Sequence, residues 1–144
     1  IIIGSLYSKK NEPVFKGDPK NPKKGIITKN DVKIVFDDDD KSINLETPGG
    51  NSITIDDKKK SITLVDQSKN KLVLDNKGIS LTSNGDITLD ASKKLNLKAK
   101  MDIFIEGMNI KQKAKVKFEA DGSAGVDIKS TAMTNIKGTM VNIN

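Results

Sequence analysis

The sequence predicts an all-β protein made from one short strand repeated many times. Three observations lead there. Apolar and polar residues alternate in run after run, as in Ile53/Ile55, Ile62/Leu64, Leu72/Leu74, Ile79/Leu81 and Ile87/Leu89. Clusters of Asp, Asn, Ser, Gly and Lys separate the runs, as turns between strands do. No stretch has helical spacing; Lys93–Gly107, KKLNLKAKMDIFIEG, alternates with period two.

Composition narrows the architecture. The chain has 144 residues, 35% hydrophobic and only 3% aromatic, with no Trp. Aromatic side chains supply much of the buried area of compact cores, so stability must come from small aliphatic contacts, backbone hydrogen bonds or other chains. With no Cys there is no disulfide or thiolate chemistry, and with no His the commonest metal ligand and neutral-pH base are missing. We therefore expect no catalytic residue, no metal ligand and no cofactor, and do not read the chain as an enzyme. No apolar run is long enough to span a bilayer as a helix. The chain opens inside an apolar run at Ile1, which we read as a piece of a longer protein.

The net charge is +6, and every basic residue is Lys. Arginine forks are the usual readers of guanine and phosphate. A lysine-only surface with few aromatics predicts no specific nucleic-acid partner; the charge keeps a repetitive β surface soluble and unpaired.

Along the chain, residues 1–15 read as a strand, a polar turn and the segment EPVF. Residues 16–24, KGDPKNPKK, form a connector without an apolar residue. Strands follow from Gly25 onward. We divide these into 25–56 and a repetitive segment, 57–144.

The spacing turns regular after Gly78. Ile79, Ile87, Leu95 and Ile103 are eight residues apart, as are Leu81, Leu89, Leu97 and Ile105. Ile110, Phe118 and Val126 keep the interval, as do Met108 and Val116, and Ile128 and Ile136. A fixed short period marks a solenoid-like architecture. Apolar residues occupy odd positions up to Ile105 and even positions from Met108 to Ile128, and a one-residue change of parity exchanges the two faces. The change falls at EGMN, where Gly107 has the backbone freedom a bulge needs. Ala114, Val116 and Phe118 then point inward, while Lys111, Lys113, Lys115 and Lys117 form one solvated face.

An inward face so poor in large residues predicts a narrow interior, best met by a thin β-prism with strands stacked at ~4.8 Å. Either one chain coils alone or three identical chains intertwine. A lone coil would be short with exposed ends. Three chains pair their edges with each other, and we expect an intertwined trimeric β-helix. Its core would comprise Ile79, Leu81, Ile87, Leu89, Leu95, Leu97, Ile103, Ile105, Ile110, Val116, Phe118, Val126, Ile128 and Ile136.

Several pieces, in order, resemble the C-terminal part of the VgrG-type central spike proteins of contractile injection systems: type VI secretion, phage baseplates and extracellular contractile particles. IIIGSLYSKKNEPVF resembles the end of that family's OB-type barrel. KKGIITKNDVKIVFDDDDKSINLETPGGNSITIDD resembles the β neck that follows, with Gly25, Ile26, Thr28, Ile34, Phe36, Asp37 and Asp38 in the family's places. GISLTSNGDITLDA resembles the start of its needle. The chain departs from the family in lacking most of the barrel and the strict Val-x-Gly octad of some phage members.

The resemblance implies a homotrimeric, cell-puncturing spike with an inner tube or hub at its N-terminal end. It would be assembled in the bacterial cytoplasm and delivered with the apparatus, crossing a target membrane only by mechanical penetration. A PAAR-type tip protein would dock on Met140, Val141, Ile143 and Asn144. Without His, no metal-bound tip is expected. The competing reading is a trimeric tail-fibre or adhesin-like stalk that binds surface glycans, for which Phe104 is the best outward aromatic. A β-helical lyase would need longer coils and has no Arg to use.

Two segments invite chemistry. Asp37–Asp40 could collect a cation, but consecutive side chains diverge, so we expect a solvated turn. A three-fold axis gathering three copies is the alternative. TPGGNS lacks the Lys and helix of a phosphate loop and reads as a turn.

One test follows. Ile87→Asp or Ile103→Asp would force three unpartnered charges together, so each should dissociate or unfold the trimer. A variant that stays trimeric with unchanged melting contradicts the inward assignment.

Overall fold

The computed structural model describes residues 18–143. Residues 1–15, expected to end an OB-type barrel, and Asn144, expected at the tip, therefore lie outside the described residues. The chain divides into two compact units, 1–95 and 96–144.

Among the described residues of the first unit, 23–82 form a single antiparallel meander. Its strands are β1 (Lys23–Ile27), β2 (Lys33–Asp37), β3 (Ser42–Glu46), β4 (Ser52–Asp56), β5 (Ser61–Val65), β6 (Lys71–Asp75) and β7 (Gly78–Thr82). Sheet order equals chain order, so every connection is a hairpin. The all-β expectation holds in this form. The strands do not repeat as identical rungs, because successive ones run in opposite directions and the repeating object is a hairpin. The sheet passes through the 56/57 boundary without a break, and β1 begins inside the connector at Lys23.

The hairpin unit is 19 residues long: β2 and β4 begin at Lys33 and Ser52, β3 and β5 at Ser42 and Ser61. The turns explain why. Loops 28–32, 47–51 and 66–70 lie at one side of the sheet and share one bond pattern. The first residue's N–H donates to the fifth residue's carbonyl, at 3.0 Å from Thr28, 3.0 Å from Thr47 and 3.1 Å from Asp66. The fourth residue bonds back to the first and takes positive φ, at Asp31, Gly50 and Lys69.

Shorter connections, 38–41, 57–60 and 76–77, lie at the other side. Each follows a strand-final aspartate whose carboxylate accepts from backbone amides of the turn. Asp37 Oδ1 accepts from the N–H groups of Asp39 and Asp40, both at 3.1 Å. Asp56 Oδ1 accepts from Lys59 N–H at 2.7 Å, and Asp75 Oδ1 from Lys77 N–H at 2.8 Å. Aspartate favours such turns because its short side chain satisfies the amides that the reversing backbone leaves free. The four aspartates at 37–40 are thus a strand end and a turn, and TPGGNS carries the β3–β4 turn.

Asparagines tie neighbouring long loops together. Asn51 Oδ1 accepts from Gln67 N–H at 3.0 Å. Nineteen residues on, Asn70 Oδ1 accepts from Asn84 N–H and the Ser83 hydroxyl, both at 3.0 Å.

The sheet is one layer thick. Among the described residues no apolar side chain is buried, and Asp56 alone is, at 4% exposure. Unit 96–144, taken by itself, forms no strand or helix among its described residues. One backbone turn bond runs from Gly125 N–H to the Gly122 carbonyl, 3.1 Å. A Cβ on Gly122 would collide with the Gly125 carbonyl oxygen, so this turn requires glycine.

Lys41 and Lys60 close equivalent turns at φ 50° and 53°, a region costing an L-residue about 1–2 kcal/mol. Lys60→Gly should therefore stabilise the sheet by roughly 0.5–1 kcal/mol, and Lys60→Val should destabilise it. Denaturant melts of the two variants check this; equal midpoints would contradict the turn assignment.

Candidate interaction surface

Strand register decides which side chains share a face. On one face, Ile26, Ile34, Leu45, Ile53, Leu64, Leu72 and Leu81 stand opposite one another in a continuous row. Beside it run Phe36, Ile43, Ile55, Ile62, Leu74 and Ile79, headed by Lys24 on β1. Each five-residue strand contributes its second and fourth residues, so the face is two side chains wide and seven strands long. Thirteen of its fourteen positions are apolar. The exception, Lys24, turns its ammonium outward to the Asn21 carbonyl, at 2.9 Å, and the Asp38 carboxylate.

The opposite face is mixed, with Val35, Asn44, Thr54, Thr63, Val73 and Ser80 along its centre. The Thr54 hydroxyl donates to Asn44 Oδ1 at 2.9 Å. This polar side needs no cover. The apolar one does. Leu45, Ile53, Ile55, Ile62 and Leu64 lie mid-sheet, flanked on both sides, yet remain 37–39% exposed. A trough of about 560 Å³ runs along the first row between Ile34 and Leu81. Its floor is aliphatic, and Asn51, Asn70, Glu46 and Lys71 rim it. Contiguous exposed apolar surface on this scale marks an interaction site.

Of the predicted core residues, the structure brings Ile79 and Leu81 onto this face, opposite Leu74 and Leu72. Ile87, Leu89 and Leu95 follow in the same unit beyond the sheet, at 51–65% exposure. In the second unit, Leu97, Ile103, Ile105, Ile110, Val116, Phe118, Val126, Ile128 and Ile136 are all exposed, as are Met140, Val141 and Ile143. Gly107 is not among the residues with positive φ, and a Cβ there would make only ordinary contact with the Asn109 carbonyl at 3.7 Å. Phe104 is exposed, and Lys117 pairs with Glu119.

Sequence reasoning placed the core from Ile79 onward and missed that the same face reaches back to Ile26. The signal was there: the strand-final aspartates Asp37, Asp56 and Asp75 and the loop-closing Asn51 and Asn70 are each 19 apart.

Charges gather at the short-loop edge. Lys23 pairs with Asp37 at 3.5 Å, Lys58 with Asp40 at 2.9 Å and Lys59 with Asp56 at 2.9 Å. The Asp40 N–H holds the Asp37 carboxyl below the usual carboxylate range, with Lys23 adding to the effect. The Lys59 ammonium, then its N–H, does the same for Asp56. Lys58 and Lys59 are raised in turn by their bonds to Asp40 and Asp56. Among the described residues no three carboxylates converge as a metal site would require.

No protein family matches this chain, and no curated protein matches it either.

Because the folded Asp56 pKa lies below its ordinary 3.8, its stabilising effect is complete above that value and fades as pH falls through the lower folded value. Asp56→Asn should lower the melting temperature at pH 6, with the gap closing as pH falls through the lowered folded value. Melts across that range check it; a gap that persists at low pH would assign the effect to shape rather than charge.

Proposed function

We propose that this chain is a structural spike component of a contractile injection apparatus, working as a homotrimer in which the apolar face of β1–β7 is covered by two further copies. The observation that carries this reading is the unbroken strip of thirteen apolar side chains on a single-layer sheet.

The strip's width favours three copies. A five-residue strand spans ~17 Å, and a triangle of that side has its centre ~5 Å from each edge, half the ~10 Å at which sheets pack face to face. Three sheets therefore enclose just enough space for their own side chains. Two sheets stacked as a sandwich would leave both long sides of a strip two residues wide open to water. A closed prism also suits a mechanical part, because bending it would break hydrogen bonds and side-chain contacts on every face together.

The resemblance of the chain to VgrG-type spikes supplies the biological setting. An inner tube or hub would attach at the N-terminal end. A PAAR-type tip would sit on Met140, Val141, Ile143 and Asn144, three copies of which would give an apolar platform. In the second unit, alternating exposed aliphatic residues find their partners in the same way, by assembly with other copies. No catalytic step or cofactor belongs to this role.

The test is replacement of the native chain by the Ile53→Asp/Leu64→Asp variant in a contractile particle. The spike reading expects particles that still adsorb to target cells but deliver nothing. Adsorption lost with contraction intact would instead support a glycan-binding fibre.

A further inference from the structure

The apolar face does little to fix how copies align, because from β3 to β7 every rung offers a similar pair of Ile or Leu side chains. The sheet edges carry the missing information. Along the long-loop edge, Lys29 and Lys33 outweigh Asp31, Glu46 makes the next loop negative, and Lys69 and Lys71 outweigh Asp66. Along the short-loop edge, four aspartates outweigh Lys41 in 37–41, three lysines outweigh two aspartates in 56–60, and Asp75 and Lys77 cancel. Bottom to top, the signs run plus, minus, plus on one edge and minus, plus, neutral on the other. Loops on one edge join every second strand, so they stand two strand spacings, ~9.6 Å, apart. That leaves a gap one strand deep between them.

When three sheets of equal polarity close around an axis, each corner brings the long-loop edge of one copy to the short-loop edge of the next. Each long loop then meets either the short loop preceding it in sequence or the one following it. Facing the following loop sets plus against minus, minus against plus, and plus against neutral. Facing the preceding loop sets the second and third long loops against like charge.

Building on the three-fold reading above, we propose that the partner at each corner is a second copy of this chain, held in register by interleaved hairpin loops, with loop 28–32 of one copy against loop 38–41 of the next. Lys29 and Asp39 lie at the two tips, and neither has an ion-pair partner among the described residues of its own chain. This gives Asp39 a role that an isolated chain does not: the other three carboxylates of the run have lysines of their own, and Asp39 is left for the neighbour. Exposed pairs contribute little singly, but three corners repeat each one, and the wrong register brings like charges together.

The chain has no cysteine, so paired cysteines report on this directly. In full-length Lys29→Cys/Asp39→Cys, the two sites of one chain lie on opposite edges, a strand length of ~17 Å apart, beyond the reach of a short bis-maleimide. The expected product is a covalent trimer on a denaturing gel, with little product from either single variant and several-fold less from Pro48→Cys/Asp39→Cys, which reports the other register. Dimers from a single variant, or a better yield from the Pro48 pair, overturn the proposal. So does an absence of cross-links in a particle whose mass is three chains, and that outcome leaves the trimer standing. A mass of one chain removes the three-fold reading itself.

Discussion

A sheet one layer thick with one face apolar at thirteen of fourteen positions calls for a cover, and the turns and strand lengths of β1–β7 are arranged around that constraint. Between the edge strands β1 and β7, backbone hydrogen bonding is met inside the chain, hairpin by hairpin. Side-chain burial is not: Ile53 and Leu64, at the centre of the strip, keep more than a third of their surface in water. Separating these two requirements is unusual. Most domains satisfy both within one fold by adding a second layer. Here strands of five residues give each rung only two side chains on the apolar face, and among the described residues up to Thr82 there is no second layer.

The turns carry the precision that the uniform face lacks. Asp37, Asp56 and Asp75 each complete a reversal by accepting amides, and Asn51 and Asn70 lock one long loop to the next. These polar bonds fix strand length and hence the width of the apolar strip. A one-residue slip in any turn would rotate a strand and put its aliphatic residues on the polar face, so the turn chemistry protects the face as much as it closes the hairpins.

Much of this was legible in the sequence. Period-two alternation named the strands from Ile53 to Leu81, and Pro, Gly and Asp named the turns. The hairpin repeat was harder to see because its two loops differ in length. Apolar pairs at 53, 62 and 72 are nine and then ten residues apart, and averaging such intervals hides a 19-residue unit that the aspartates mark. The eight-residue interval after Gly78 is cleaner in the sequence, yet residues 96–143 show no strand pairing within the chain. Local alternation specifies which side chains belong together on a face; it does not specify which chain supplies the neighbouring strand.

The most direct measurement is the mass of the intact protein in solution, by light scattering on a sizing column across a wide dilution range. With a chain of 15.6 kDa, we expect a particle of three chains that holds together on dilution. A stable monomer, with the face of Ile53 and Leu64 left in water, would contradict it.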